Sequence, residues 1–104
     1  MSDAERFRLA AVERVLGGDG RASVAERRAA FGNADVSAAG RALIDKVAKN
    51  AWKVTDEDVA AAKAAGLTED QVFELCVCAA MGQATRQLDA AMAALDEATK
   101  EGSR

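Results

Sequence analysis

Four hydroxyl residues, each followed three positions later by a side chain able to return a hydrogen bond, divide this chain: Ser2 and Glu5, Ser23 and Glu26, Thr55 and Asp58, Thr68 and Gln71. Each pair has the form of an N-cap or capping box, in which the hydroxyl accepts from an early backbone N–H and the later side chain reaches back. Stops are equally plain. Gly17-Gly18, Gly32-Asn33 and Gly66 fall where a helix ends and the left-handed conformation suits Gly or Asn. No proline interrupts the segments between.

These signals predict an all-α chain of about five helices. They cover about Asp3 to Leu16, Val24 to Phe31, a third from near Ser37 through Trp52, Asp56 to Ala65, and a long fifth from Glu69 to Ala98. In the third, Leu43, Ile44, Val47, Ala48, Ala51 and Trp52 recur at helical spacing. Period-2 alternation of β-branched residues, the mark of strands, is missing. With 104 residues there is length for one domain, spanning 1–104, and its lone core is thin enough that self-association would help bury apolar surface. Apolar residues make up 50% of the chain, Ala foremost, which suits helices packed closely together. Only residues 100–104 have a disordered composition.

The fifth helix has two regimes. From Val72 to Gly82 it is apolar nearly all round, interrupted by Glu74, and is expected in the core or at a subunit interface. Beyond Gln83 the apolar residues Ala84, Leu88, Ala91, Met92 and Leu95 share one stripe, with Arg86, Asp89 and Asp96 elsewhere, so this half is expected to pack on a neighbour.

A net charge of −3 gives no electrostatic footprint for nucleic acid. Arg27-Arg28 reads as a solvated helix face. Met1 to Ala10 is charged and lacks the apolar centre of a signal peptide, and the longest apolar run, Leu75 to Gly82, is far short of the ~20 residues that cross a bilayer. A cytoplasmic location without membrane partners is therefore expected, with both cysteines as thiols.

Lys53-Val-Thr-Asp-Glu-Asp-Val59, then Ala64-Ala-Gly-Leu-Thr-Glu-Asp-Gln-Val-Phe-Glu-Leu75, and the small-residue stretch 79–88 resemble the alkylhydroperoxidase-D/carboxymuconolactone-decarboxylase family. Gly66, Thr68, Glu69, Val72 and Glu74 occupy the positions of that family's Ala-Gly step, cap and Ile/Val-x-Glu pattern. The resemblance covers roughly Ala42 to Ala98 and leaves the first forty residues unplaced. It implies a helical bundle that assembles with itself, as a trimer or hexamer. The family's peroxidases carry C-x-x-C-x-x-x-H with an upstream Glu. If Gly66 is the glycine after the catalytic helix, that motif falls on Ala51, Val54 and Asp58, and the Glu near Ala39. In a second register, matching the cysteine-free half of longer members, the catalytic half would precede Arg41, where there is no Cys and no His. The chain lacks His altogether, which excludes a His base or metal ligand. The resemblance thus implies a degenerate member, with no cofactor and no metal.

Three side chains remain as chemical candidates: Cys76, Cys78 and Glu74. On a helix, residues two apart point about 200° apart, so C-x-C cannot close a disulfide there. Both thiols read as small buried side chains, against an alternative in which one is a redox thiol with Glu69 or Glu74 nearby. Glu74 reads as an acid paired with Lys53, Arg41 or Arg86, against an alternative as a pocket acid with a raised pKa. Asp56, Glu57 and Asp58 read as first-turn acids at a helix start, and Trp52 as a core anchor. Ala79, Ala80, Gly82 and Ala84 read as the core of an oligomer.

The expected function is a non-catalytic homo-oligomer that binds a small apolar ligand or a protein partner. The alternatives are a divergent thiol peroxidase using Cys76 or Cys78, and a lyase pocket around Glu74 and Arg86.

Overall fold

In the computed structural model, residues 2–102 are described, with side chains through Lys100. The elements are α1 (Asp3–Gly17), α2 (Val24–Gly32), α3 (Arg41–Asn50), a short 3-10 turn (Ala51–Lys53), α4 (Asp56–Ala64) and α5 (Glu69–Gly102). Among the described residues there is no strand, and no helix is long and apolar enough to cross a membrane. The expected disorder from Lys100 is not met through Gly102, where α5 is still helical, and residues 103 and 104 lie outside the described ones.

The expected caps form. Ser2 Oγ accepts from Glu5 N–H at 3.1 Å. Ser23 and Glu26, Thr55 and Asp58, and Thr68 and Gln71 each bond reciprocally. Asn33 takes the left-handed conformation (φ 49°) and closes α2, but Gly18 ends α1 in extended backbone, so no left-handed cap forms there. Gly66, at φ +117°, makes the turn between α4 and α5. A Cβ there would meet no atom within 4 Å, so only the backbone conformation resists substitution. Gly66→Ala is expected to cost about 1–2 kcal/mol, read as a lower midpoint in urea with an unchanged slope.

The third helix starts four residues later than expected. Ser37 to Gly40 forms a turn, with Gly40 N–H donating to Ser37 O at 3.1 Å. Buried Gly40 sits against Leu67 and Ile44, so the chain bends where Leu67 needs room. The other end corrects the reading of Trp52. Because α3 stops at Asn50, the helical spacing does not carry the ring into the core. It lies 80% exposed in the 3-10 turn, with Lys53 Nζ 4.9 Å from its centroid, and Val54 packs on the core in its place. Asp58 joins the two helices around this turn, since it caps α4 and pairs with Lys46 of α3 at 2.8 Å.

The core lies between α2, α3 and the first half of α5, with α4 over one end. Val72, Leu75, Cys78, Ala79 and Gly82 form the buried row of α5 against Ala30, Leu43 and Ile44. The first half of α5 is therefore buried on one face and not all round: Phe73 is 69% exposed and Ala80 is open to solvent. Gly82 and Ala79 serve this intrachain contact. A Cβ on Gly82 would overlap the Phe31 carbonyl oxygen and lie 2.7 Å from its carbon, so α2 and α5 touch backbone to backbone.

Beyond Arg86, α5 leaves the bundle. The molecule extends 58 Å along its longest axis and only 28 and 21 Å across, and a 34-residue helix spans about 51 Å of that. Only α1 accompanies it. Ala4 and Arg8 border Leu88 and Met92, while Val15 borders Val77, so α1 runs antiparallel to α5.

Candidate functional site

The three chemical candidates sit within little more than one turn of α5, yet the fold points them into different surroundings. Cys78 is fully buried in the row facing α2 and α3. Burial pushes its thiol pKa up, and Glu74 adds to the rise while Arg27 opposes it. Cys76, two residues away and so on another side of the helix, is half-buried and is likewise pushed up by burial alone. Both are free. A thiol that resists ionisation is a poor nucleophile, and neither has a base within a shared hydrogen bond.

Glu74 corrects the ion-pair reading. Its carboxylate reaches none of Lys53, Arg41 or Arg86. It accepts from the backbone instead: Arg21 N–H at 2.8 and 2.9 Å and Ala22 N–H at 2.6 Å. The loop between α1 and α2 wraps the carboxylate so closely that a Cβ on Gly20 would lie 2.8 Å from Oε1. These backbone bonds to Arg21 and Ala22 hold the Glu74 pKa below the usual carboxylate value, helped by the charges of Arg27 and Arg21. The raised pKa of the alternative reading is thus overturned, because the donors around it favour the ionised form, although Glu74 does border a cleft between α1 and α5. Its oxygens are occupied as ligands of a loop.

Arg86 lies twelve residues further along the same helix, about 18 Å away by the helical rise. Its Nη1 donates to Phe31 O at 2.7 Å and its Nη2 to Gln83 at 3.2 Å. Glu74 and Arg86 therefore share no pocket, and the lyase arrangement is not formed.

Arg27 departs from the solvated face expected of it. It is 5% exposed, donates from Nη1 to Val15 O at 3.0 Å, and leaves Nε buried without a partner. Arg28 does face solvent. With Arg14, Val15, Phe73, Glu74 and Val77, Arg27 lines a half-open cleft of about 200 Å³ between α1 and α5. A broader, more polar depression of about 650 Å³ lies at the turn after α2. Asp35 lines it, and its other polar groups are engaged: Asn33 donates to Asp45 at 3.1 Å, Lys49 pairs with Asp45 at 3.0 Å, and Arg41 donates to Val36 O. Among the described residues no group of three His, Cys, Asp or Glu is placed to hold a metal ion.

The roles of Arg27, the Arg21 and Ala22 amides and the Phe31 carbonyl are not readable from the sequence. Each acts on a residue far along the chain, and only Gly20, a small residue at a close approach, hints at any of them. Comparison with protein-family models, with curated proteins and with solved structures finds no match.

Proposed function

We propose that this chain is a non-catalytic helical protein that assembles with itself and works by binding a small ligand or a protein partner. The observation that carries this is the exposure of large apolar side chains along one pair of helices: Phe7 on α1, and Phe73, Leu88, Met92 and Leu95 on α5. Leu88, Met92 and Leu95 follow one another along one face of α5, and a contiguous apolar stripe of this kind marks an interaction site. The side chains with chemical capacity are meanwhile committed elsewhere, Glu74 to backbone amides, Arg86 to a carbonyl, and the thiols to apolar surroundings. The scaffold is read as alkylhydroperoxidase-D/carboxymuconolactone-decarboxylase-like from the segment around Gly66, Thr68 and Glu74, with the family's catalytic positions vacated. The half-open cleft beside Phe73 and Val77 offers the small-ligand position.

Thiol labelling of the native protein, followed by mass spectrometry, separates this reading from a thiol peroxidase. Cys78 is expected to stay unlabelled until the protein is denatured, and Cys76 to label slowly. Neither is expected to oxidise at low organic hydroperoxide. Rapid oxidation of Cys76, with turnover lost in Cys76→Ser, would replace the binding reading with a redox one.

A further inference from the structure

We infer that the projecting half of α5 pairs antiparallel with the same segment of a second copy, about a two-fold axis between Asp89 and Ala90. This rests on the self-assembly reading and names its contact. Met81, Ala84, Leu88, Ala91, Leu95 and Ala98 are spaced alternately three and four residues apart, the a and d positions of a heptad repeat. The e and g positions between them, Thr85, Gln87, Met92 and Ala94, are also uncharged. All five charges between 83 and 100 fall elsewhere on the helix: Arg86, Asp89, Asp96, Glu97 and Lys100.

The polarity of α5 turns over along its length. The row that faces the bundle, Val72, Leu75, Ala79 and Gly82, continues into Arg86, Asp89 and Asp96. The apolar row of the outer half therefore points away from the chain's own core, and α1 covers only its edge. Leu88, Met92 and Leu95 remain 41%, 45% and 57% exposed.

Three features favour a second copy of this chain, antiparallel, as the occupant. Uncharged flanks give no like-charge opposition when identical helices meet, whereas heptads that select a different partner use charges at e and g. Volumes alternate strictly, with large residues at a and Ala at d. In a parallel pair a meets a, giving overfull layers beside empty ones. In an antiparallel pair a meets d. Met81 then faces Ala98, Ala84 faces Leu95 and Leu88 faces Ala91, each layer matching one large side chain with one small. Finally, the register is self-complementary, as a two-fold interface requires.

The test is molar mass by analytical ultracentrifugation, with helicity followed in parallel. The wild-type chain is expected to form a dimer or a larger even-numbered assembly. Leu88→Lys, and Leu95→Lys further from the bundle, should weaken the pairing about 100-fold or more, because each substitution occurs twice per interface. Ala93→Lys, on the charged side, should leave the mass unchanged. A monomeric wild type would overturn both this pairing and the self-assembly reading. An assembly that persists in folded Leu88→Lys and Leu95→Lys, or one with an odd number of subunits, would overturn the pairing alone.

Discussion

Gly82→Ala is expected to lower the melting temperature by roughly 10–20 °C, a large change for a single methyl group. The new Cβ would meet the Phe31 carbonyl, a backbone group that cannot rotate aside. Relief requires α2 and α5 to separate, which loosens the packing around Ala30, Cys78 and Ala79 and strains the Arg86–Phe31 hydrogen bond. Overpacking of this kind costs about 1–3 kcal/mol and sometimes more, and in a domain of this size each kcal/mol moves the midpoint by about 4–8 °C. The modest gain of Ala over Gly in a helix offsets only part of that. Gly17→Ala is the control. It lies at the end of α1, where an added methyl would have nothing within 4 Å, and it should be neutral or slightly stabilising. Equal behaviour of the two variants would show that α2 and α5 do not meet at Gly82.

Glu74→Gln is expected to destabilise the protein at neutral pH by about 1–2 kcal/mol, the range for charged hydrogen bonds that retain some solvent contact. An amide keeps one oxygen for the Arg21 and Ala22 amides but turns N–H groups toward the same loop. The pH dependence distinguishes this from a packing defect. The folded-state pKa of Glu74 lies below its ordinary value of 4.5. Its stabilisation is therefore fully present above about pH 4.5 and is lost as the pH falls through the lower folded-state value. Wild type and Glu74→Gln should converge in stability as acid is added, because the protonated carboxyl resembles the amide. Asp45 and Asp58, whose pKa values are also lowered, contribute acid sensitivity of the same sign to both proteins. A gap between the two that stays constant down to low pH would show that the carboxylate charge does not hold the loop.

What can be read from the sequence divides by reach along the chain. Ser23 with Glu26 and Thr55 with Asp58 act over three residues, so residue type alone announces them and the starts of α2 and α4 emerge correctly. The end of α3 is harder to place because Asn50, at φ −146°, does not take the left-handed conformation that closes α2 at Asn33, and what fixes the boundary there is the turn that seats Val54. Trp52 follows that turn out into solvent. Arg27 and Arg28 look identical in sequence, and only the position of α1 decides that one of them is buried. For Glu74 the residue stands out but its partners do not, since backbone amides carry no side-chain identity to search for. The apolar stripe of the outer half of α5 is legible as a stripe. That Gly82 belongs to the chain's own core is not, because a small residue at helical spacing announces close approach without naming what approaches.

The packing of α2 on α5 also bears on how the chain acquires its structure. The Arg21–Glu74 bonds join residues 53 apart in sequence, and the Arg86–Phe31 bond joins residues 55 apart. Closing half the chain carries an entropic cost before those contacts return anything, and non-local pairing slows folding. Although helices are the only regular elements among its described residues, its rate-limiting encounter should be the meeting of an early segment with a late one. During synthesis, α1 and α2 leave the ribosome well before α5 exists to receive them, so the nascent chain waits with the faces of Leu16 and Ala30 uncovered until the final third is made.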